Sequence, residues 1–443
     1  MKFHVLTFGC QMNAADSGWL GESLKAMGWE ESGVDDAQVY IVNTCSVREK
    51  PEQKLYSLLG RLAERLESDP DMFCAVGGCV AQQAGVKLWN RFGFVRLVFG
   101  TDGIAQVPQA LLRLTAEPKL RLSLLDFTQS YVERESALPQ AAASPRAFVN
   151  IMQGCDNFCA YCIVPYVRGR QKSRRAAAVL HECTALAQSG VKEVTLLGQN
   201  VNSYGLDASG DGTSFADLLR AVAAVPGIER IRFTTSHPKD LAGEVIAAFR
   251  ELPKLCPSLH LPVQSGSDRV LKRMGRKYTS AAYLAKVDAL RRACPDISLS
   301  TDFIVGFPGE TEEDFQDTLA LMRRVVFDGS FSFAYCDRPG TASIKMEPKV
   351  SDTVKSRRLA ELQALQNEQQ EAMLQRMIGV RKMVLVDGPG ARRGSDDPAW
   401  TGRDEAGFVV NFAAPDTPGL AGRIVPVRIT QAKKHSLWGE ALP

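Results

Sequence analysis

The chain has 443 residues, of which 45% are hydrophobic and 23% charged, and its formal net charge is +3. A chain of this length exceeds one hydrophobic core, so we expect two to four domains rather than one. The composition is typical of a globular protein, the small net charge limits any nucleic-acid surface to a local patch, and no run of about 18 apolar residues predicts a membrane span.

The cysteines and the first residues bear on cellular location. Residues 1–10 run into polar residues too soon for a signal peptide, so we expect a cytoplasmic protein with no membrane partner. Thiols stay reduced in that compartment. The 11 cysteines are therefore predicted to be free thiols or metal ligands rather than disulfides.

Residues 1–115 alternate short apolar strands with helical patterns. The predicted strands are 3–9, 39–42, 73–76 and 97–99, and apolar residues at helical spacing lie between them. This alternation predicts a doubly wound α/β domain, in which ligands collect at the carboxyl ends of the strands.

Three cysteines each follow a predicted strand of this domain: Cys10, Cys45 and Cys79. Because parallel strands end at the same edge of a sheet, we expect these thiols to converge. Cys74 lies inside a strand and is predicted to pack in the core. The alternative for the three, unrelated buried cysteines, stays open because their spacing is wide.

Residues 116–145 lose periodicity and end in a run rich in Pro and Ala, so we interpret them as a linker. Strands and helices alternate again over residues 146–376. The predicted strands are 148–152, 193–197, 229–234, 257–262, 297–305 and 329–335, followed by a helix at about 353–377. Six βα units predict a parallel (β/α)6 partial barrel with its site at the C-terminal strand ends.

Three more cysteines, Cys155, Cys159 and Cys162, follow the first of these strands at the spacing C-x3-C-x2-C. A four-iron cubane is normally held by four thiolates, so three thiolates leave one iron open. Two alternatives fit less well. Core cysteines would not be flanked by Asp156 and Asn157, and a zinc site needs a fourth ligand, which is not nearby.

Polar residues follow four successive strands of the predicted barrel. They are Gln199, Asn200, Ser236, His237, His260, Gln264 and Asp302, with glycines at 198, 306 and 309. Their repetition at strand ends predicts a ligand pocket at the barrel mouth. Either histidine fits a general base, although His260 lies between two leucines and is better interpreted as a hydrogen-bonded structural residue.

Residues 377–443 change to short strands and glycine-rich turns. Predicted strands at 383–386, 407–412 and 424–429 indicate a small all-β barrel of about 65 residues. Basic side chains suit phosphate contacts, and aromatic side chains suit stacking on unpaired bases. The basic residues are Arg381, Lys382, Arg392, Arg393, Arg403, Arg423, Arg428, Lys433 and Lys434, and the aromatic ones are Trp400, Phe408, Phe412 and Trp438. Solvated charges and core rings are the alternatives.

The cysteine loop, with Tyr161 directly before Cys162, resembles the motif of radical S-adenosylmethionine (SAM) enzymes. The resemblance implies that its three thiolates hold a [4Fe-4S] cluster whose open iron binds SAM, and that SAM cleavage releases a 5′-deoxyadenosyl radical. It also implies SAM contacts at Gln199, Asn200, Ser236, Gln264 and Asp302. Arg276 either pairs with the SAM carboxylate or is a solvated cation at a helix end.

Over nearly its whole length the chain resembles the tRNA methylthiotransferases, in particular the branch that makes 2-methylthio-N(6)-dimethylallyladenosine. The motifs are FGCQMN at residues 8–13, NTCSVREK at 43–50 and YCIVPYVRG at 161–169. The resemblance implies a methylthiotransferase domain at 1–115, a radical SAM core at 146–376 and an RNA-binding TRAM domain at 377–443. The sequence SRR at 173–175 departs from the usual Ser-Arg-Pro and affects only a helix start.

The family pattern assigns Cys10, Cys45 and Cys79 to a second [4Fe-4S] cluster, whose free iron holds sulfur. It implies methylthiolation of carbon 2 of N(6)-dimethylallyladenosine at tRNA position 37, next to the anticodon. One SAM methylates the sulfur, and a second yields the radical that removes the hydrogen from carbon 2. The implied partners are the tRNA anticodon loop, an electron donor such as flavodoxin or ferredoxin, and a sulfur donor, and we expect a monomer.

A different class of function is also compatible with the cysteines. A non-catalytic iron–sulfur sensor would use its clusters to report redox state and its β-barrel to hold RNA. The polar series at the strand ends favours the enzyme, because a sensor has no use for a SAM pocket.

Overall fold

The computed structural model describes residues 1–46, 49–69, 71–134, 144–390, 399–414 and 419–442. Most of the predicted linker lies within the described residues, but 135–143 do not. Arg392 and Arg393, two of the predicted RNA-contacting cations, also lie outside them, as does Arg48 of the second family motif.

The N-terminal domain is built on a six-stranded parallel sheet with the strand order β2-β1-β3-β4-β5-β6. Its strands are β1 (Lys2–Phe8), β2 (Glu30–Glu31), β3 (Val39–Thr44), β4 (Phe73–Gly78), β5 (Val95–Phe99) and β6 (Leu122–Leu124). Its helices are α1 (Gln11–Ala26), α2 (Glu49–Ser68), α3 (Cys79–Ala84), α4 (Lys87–Arg91) and α5 (Val107–Ala116). The order reverses between β1 and β3, which is where doubly wound sheets bind ligands.

Helices cover both faces of this sheet, as the alternating pattern predicts. Tyr40 and Val42 of β3 face one apolar core, whereas Val39 and Ile41 of the same strand face the other. Cys74 is fully buried in the first of these cores, which confirms its predicted packing role. The short strands β2 and β6 were not predicted, because two and three residues carry too little periodicity.

The central region is the predicted parallel partial barrel. Its main strands are β7 (Arg146–Asn150), β10 (Glu193–Leu197), β11 (Arg230–Thr234), β12 (Ser258–His260), β13 (Ser298–Val305) and β14 (Gly329–Ala334), with β8 (Met152–Gln153) and β9 (Lys172–Ser173) as a small antiparallel pair. Its helices are α6 (Val164–Val167), α7 (Ala176–Gln188), α8 (Phe215–Ala223), α9 (Gly243–Glu251), α10 (Asp268–Arg273), α11 (Ser280–Ala293), α12 (Glu312–Val325) and α13 (Asp352–Arg376).

The partial barrel consists of two parallel three-stranded sheets, β11-β10-β7 and β12-β13-β14. A single bridge between Ile231 and Leu255 joins them. One continuous apolar core lies between these strands and the helices outside them. Within the described chain, β7 and β14 are therefore the two edges of an open barrel, and the cysteine loop follows directly from the β7 edge.

The C-terminal domain is a closed five-stranded barrel with the order β15-β16-β17-β19-β18. Its strands are β15 (Arg381–Pro389), β16 (Ala399–Arg403), β17 (Val409–Ala413), β18 (Ile424–Ala432) and β19 (Leu437–Ala441). The all-β class was predicted correctly, but β16 and β19 were missed. Each of these strands contains a glycine, Gly402 in β16 and Gly439 in β19, and glycine in a sequence usually indicates a turn. Here a Cβ would lie 2.2 and 2.4 Å from a backbone oxygen of the neighbouring strand, so the glycine instead permits a close contact between strands.

Buried polar contacts fix the N-terminal domain to the partial barrel. Lys172 of β9 pairs with Asp102, and their side chains are only 3% and 4% exposed. Asp16 of α1 accepts hydrogen bonds from Arg134 at 2.8 Å and from Asn150 of β7 at 3.2 Å. Every helix in the described ranges is too short or too polar to cross a membrane.

Candidate active site

The first thiol triplet, Cys10, Cys45 and Cys79, lies at the C-terminal edge of the N-terminal sheet. Cys10 precedes α1, Cys45 follows β3, and Cys79 begins α3, so the residues come from three adjacent strands. The Cys45 thiol hydrogen-bonds both other thiols. The structure thus brings together three residues that are more than 30 positions apart in the chain, next to the topological switch point.

Two buried asparagines hold these loops in place. Asn13 accepts from the Cys10 backbone NH at 3.3 Å and donates to Asn43 Oδ1 at 2.9 Å. Gly78 has a φ of 85°, and a Cβ there would lie 2.2 Å from the Thr44 carbonyl oxygen, so only glycine fits. Neither asparagine was predicted as a site residue, although both belong to the quoted motifs around Cys10 and Cys45.

The contacts within the first triplet lower the pKa of two of its thiols and raise that of the third. A hydrogen bond from the Cys45 thiol lowers the pKa of Cys10 to about 5 and that of Cys79 to about 6, and the Arg168 cation acts in the same direction. The same hydrogen bonds, together with burial, raise the pKa of Cys45. Thiolates are the form in which cysteine binds metal.

The second thiol triplet, Cys155, Cys159 and Cys162, lies in the loop between β8 and α6. The loop is folded on itself, because the Cys162 NH donates to the Cys159 carbonyl at 2.9 Å. Gly154, at a φ of 81°, allows the chain to pass Arg170, whose carbonyl oxygen would lie 2.0 Å from a Cβ. Burial raises the pKa of Cys155, and it raises that of Cys162 to about 12.

Cys159 is the buried member of the second triplet, and two nitrogen donors face its sulfur. Arg276 Nη1 lies 3.5 Å and His237 Nε2 3.9 Å from Cys159 Sγ. His237 Nδ1 accepts the Lys239 NH at 3.1 Å, so a neutral ring must carry its proton on Nε2. Burial, with Arg276 as the next cause, lowers the pKa of His237 to about 2, and the ring is therefore neutral.

The remaining residues of the predicted pocket lie at the barrel mouth. Arg276 is only 4% exposed and also donates to the Tyr161 hydroxyl at 3.4 Å, so the alternative of a solvated cation is wrong. Asp302 accepts from His260 at 3.3 Å, and the Asp302 carbonyl accepts the Gln264 NH at 2.8 Å. His260 is thus hydrogen-bonded, as expected for a structural histidine.

Asn200 and Ser236 differ in their surroundings. The Asn200 amide donates to Asp240 at 2.7 Å and accepts the His237 NH at 3.1 Å, so it orients the His237 loop. Ser236 Oγ is buried and has no hydrogen-bond partner in the described structure, and the same is true of the neighbouring Thr235 hydroxyl. Unsatisfied buried hydroxyls cost about 1–3 kcal/mol each, so these two fit a polar ligand.

The two triplets are connected by residues 163–168, which we call the inter-triplet segment. Ile163 and Val167 pack on Cys79, although they belong to the turn that follows Cys162. Helix α6, which follows Ile163 and ends at Val167, has four residues and is about 6 Å long at 1.5 Å per residue. One short turn of chain therefore extends from the second triplet to the first.

Arg168, at the end of this segment, was quoted in the sequence motif but not predicted as a site residue. Its side chain is 3% exposed, and its charge acts on Cys10 and Cys79. Its Nη1 lies 3.7 Å from Met12 Sδ, whereas its Nη2 is buried without a partner among the described residues. Gln199 donates to the same Met12 sulfur and accepts the Gly154 NH at 2.6 Å, so it too lies between the triplets.

The donor set fits iron–sulfur clusters better than zinc. In the part of the chain that the structure describes, no group of three or more His, Cys, Asp or Glu side chains is arranged to hold a single metal ion. A cubane makes a different demand, because each thiolate binds its own iron and three thiolates leave the fourth iron open to a ligand. Both triplets offer three sulfurs of this kind.

Family models match three parts of the chain. The model described as the radical SAM superfamily matches residues 149–322, that of the uncharacterized protein family UPF0004 matches 2–100, and that of the TRAM domain matches 375–442. Among solved structures, the radical SAM methyltransferase TsrM from Kitasatospora setae superposes with a TM-score of 0.55 at 15% identity, over 89% of this chain and 78% of that one. Fold and cysteine loop define a radical SAM enzyme.

Curated relatives are more specific. The chain is 57% identical to a protein of Nitratidesulfovibrio vulgaris (strain DP4) named tRNA-2-methylthio-N(6)-dimethylallyladenosine synthase. The similarity covers 99% of this chain and 98% of that protein. The protein of that name in Lawsonia intracellularis (strain PHE/MN1-00) is 50% identical over 100% of this chain and 99% of its own length. The chain belongs to the tRNA-2-methylthio-N(6)-dimethylallyladenosine synthase family.

Proposed function

We propose that this enzyme methylthiolates carbon 2 of N(6)-dimethylallyladenosine at tRNA position 37, using two SAM molecules and two [4Fe-4S] clusters. The observation that carries the proposal is the inter-triplet segment, which connects Cys162 to a contact with Cys79. Sulfur held at one triplet would then lie beside the place where SAM is cleaved. An aromatic C–H has no acidic proton for a general base, which is why a radical route suits this substrate.

The proposed division of labour follows the domains, at 1–115, 146–376 and 377–443 with a linker at 116–145. Cys155, Cys159 and Cys162 would hold one cluster, and Cys10, Cys45 and Cys79 the other. When bound, the cluster at the second triplet would supply the electron that cleaves SAM, and the cluster at the first triplet would carry the sulfur to be transferred. Each set leaves one iron free, and both activities need that open position.

Arg168 would hold negative charge at the first triplet. A buried guanidinium needs anionic partners, and thiolates with bound sulfur provide them. Its side chain hydrogen-bonds Cys79, so the guanidinium acts directly on this triplet. Met12 and Gln199 lie between this guanidinium and the cysteine loop, so they would line the space between the two sites.

SAM would bind between the cysteine loop and the strand ends. Ser236 supplies a free hydroxyl, and Gln264 and Asp302 lie side by side on neighbouring strand ends. Arg276 and Tyr161 would face the methionyl end near Cys159, and Gln199 would do so from the opposite strand. Asn200 would act indirectly, since its amide is used by Asp240 and the His237 NH.

The C-terminal barrel would bind the anticodon arm. Five of the basic residues are exposed and suit phosphate contacts: Arg381, Arg423, Arg428, Lys433 and Lys434. Lys382 instead pairs with Asp404 at 3.3 Å, and Arg403 donates to the Gly407 carbonyl at 2.9 Å. Trp400 and Phe412 are core residues, which leaves Phe408 and Trp438 for base contacts.

Two partners, a compartment and an oligomeric state complete the proposal. Two incoming molecules are needed, an electron donor such as flavodoxin or ferredoxin and a sulfur donor. We propose that the protein acts in the cytoplasm, where tRNA is modified and thiols stay reduced, and that it works as a monomer.

The test uses the full chain with its clusters reconstituted under anaerobic conditions. It is mixed with SAM, dithionite and an anticodon stem-loop RNA that carries N(6)-dimethylallyladenosine. We expect 5′-deoxyadenosine and the 2-methylthio nucleoside, both measured by mass spectrometry. A matched RNA with threonylcarbamoyladenosine should stay unmodified. Modification of that RNA alone, or SAM cleavage without any methylthio product, would overturn the proposal.

A further inference from the structure

A polar groove lies at the open side of the partial barrel, away from both thiol triplets. Its volume is about 510 Å³, and it lies between the lower parts of β12, β13 and β14, helix α13, and the turn 404–408 of the C-terminal barrel. The size is that of a pocket for a small organic group. Neither the cluster ligands nor the proposed SAM contacts line it, although Phe408, proposed above for base contacts, belongs to its lining.

The C-terminal barrel is fixed at the floor of the partial barrel. Arg230 of β11 donates to the backbone oxygens of Arg403 and Met383 at 2.9 and 2.6 Å. Arg232 donates to the Asp404 oxygen at 2.7 Å. These contacts lie at the start of β11, whereas the cysteine loop lies at the opposite ends of the strands. RNA held by the C-terminal barrel would have to pass from this floor to the mouth, and the open side offers one path.

The lining of the groove suits a neutral polar ring. It presents the hydroxyls of Ser298 and Ser300 and the amides of Gln363 and Asn367, and no described lining residue is Lys or Arg. Phosphate binding would need such cations. Hydroxyls and amides instead match the donors and acceptors on the edge of a nucleobase.

Phe331 supplies a stacking surface in this groove. Its side chain is 55% exposed, which is unusual for a phenylalanine between strands and a helix. It pairs in register with Asp302, and its ring centroid lies 6.0 Å from that of His260. Ser300, in the groove, is two residues before Asp302 and thus about 7 Å away along the strand. The groove therefore comes close, along β13, to a residue of the proposed SAM pocket.

We propose that the groove binds an unpaired base adjoining the target adenosine, stacked on Phe331 and read at its edge by Gln363 and Asn367. The inference rests on the proposed function, because it takes the target base to be at the mouth. Extruding that base separates it from its neighbours, and a stacking platform beside the mouth offsets the lost stacking. Phe331 thereby becomes a residue for substrate binding rather than for catalysis.

The experiment measures RNA affinity of the cluster-loaded full chain by fluorescence anisotropy. The RNAs are the modified stem-loop and two versions with an abasic site, one on each side of the target. For Phe331→Ala we expect about tenfold weaker binding of the complete stem-loop, in the range of base–aromatic stacking. The wild type should lose a similar factor with one abasic RNA, and the two changes together should cost no more than either alone.

Two variants make the result specific. Phe331→Trp keeps a stacking surface and should restore affinity, and Leu206→Ala removes an apolar side chain that is 75% exposed outside the groove and should not change it. An unchanged affinity of Phe331→Ala, or additive losses with both abasic RNAs, would overturn the inference. Wild-type methylthiolation in the same preparations is a separate readout, so a failed function and a failed groove are distinguishable.

Discussion

The two thiol triplets reach similar compositions by opposite routes. Cys155, Cys159 and Cys162 lie within one loop, so the folding of that loop alone brings them together. Cys10, Cys45 and Cys79 come from three strand ends, so they meet only when the whole N-terminal sheet has formed.

The surroundings of the triplets differ as well. The first triplet faces a buried cation, Arg168, which stabilises thiolates at Cys10 and Cys79. The second faces both a buried cation, Arg276, and a neutral ring, His237, and burial raises the pKa of two of its thiols. A buried cation is therefore common to both sites, and the pKa values differ for another reason. Hydrogen bonds between thiols lower the pKa of Cys10 and Cys79, whereas burial raises that of Cys155 and Cys162. The comparison teaches that the contacts between the thiols, rather than ligand number, distinguish the two sites.

The largest expected effect comes from removing one triplet at a time. Changing Cys155, Cys159 and Cys162 to Ala should abolish SAM cleavage, because no site for it remains. Changing Cys10, Cys45 and Cys79 to Ala should abolish methylthiolation but spare SAM cleavage. Each triple variant should lose roughly half of the bound iron, since one of two cubanes is gone. Iron analysis and 5′-deoxyadenosine assays measure these outcomes.

Cys74→Ala is the matched control for the first triplet. Cys74 belongs to the same sheet and is fully buried, but it faces the apolar core. Its iron content should equal that of the wild type. Equal iron in the wild type and the Cys10, Cys45 and Cys79 variant would contradict a second cluster.

The next effect concerns the buried pair of Lys172 and Asp102, which fixes the N-terminal domain to the partial barrel. Lys172→Met removes the cation of the buried pair and leaves the Asp102 carboxylate with hydrogen bonds from Thr128 and Gln153 but no counter-charge. We expect the free energy of unfolding of the apoprotein to fall by about 3–5 kcal/mol. Lys25→Met, which breaks exposed pairs with Glu22 and Glu31, should cost about 0–1 kcal/mol. Equal midpoints in urea for both variants would show that the buried pair is not structural.

A smaller effect is expected from Arg168→Gln, which removes the cation at the first triplet. In the Cys155, Cys159 and Cys162 triple-Ala background only the first cluster remains, and its midpoint potential can be measured alone. Loss of a nearby positive charge should lower that potential by on the order of 60 mV, equivalent to about 1.4 kcal/mol for one electron. Arg168→Lys keeps the charge and should shift it less. A potential that does not move in the Gln variant would remove Arg168 from the site.

The smallest effect is expected at His237, which donates a neutral hydrogen bond rather than a charge. His237→Leu in the Cys10, Cys45 and Cys79 triple-Ala background removes the Nε2–H that faces Cys159. Hydrogen bonds to cluster sulfurs raise the potential, so we expect a decrease on the order of 30 mV, half of the Arg168 effect. His237→Gln retains an N–H donor and should recover part of the loss. An equal shift in the Leu and Gln variants would show that only packing has changed.

The sequence predicts the fold class through periodicity, and it predicts the second triplet through spacing. Long elements were placed well: the helix expected at 353–377 is Asp352–Arg376. Short strands without a clear apolar alternation, such as β2, β6 and β19, were missed. Their formation depends on neighbours in the sheet rather than on their own residues.

The sequence indicated which residues belong to the site better than it indicated what their side chains contact. Asn200 follows a strand like the other polar residues, but its amide is used by Asp240, a residue 40 positions away. For Arg276 the sequence left open a solvated cation at a helix end, whereas the side chain is buried against Cys159. Arg168 lies next to the cysteine loop, yet it acts on thiols of another domain. Such contacts arise from tertiary packing, which local patterns do not encode.

The central claim is that the two triplets hold clusters on either side of one short segment. Electron paramagnetic resonance of the fully reduced wild type tests it most directly, because two nearby paramagnets broaden each other's signals. We expect a wild-type spectrum that differs from the sum of the spectra of the two triple-Ala variants. A wild-type spectrum equal to that sum, at full iron content, would contradict the claim.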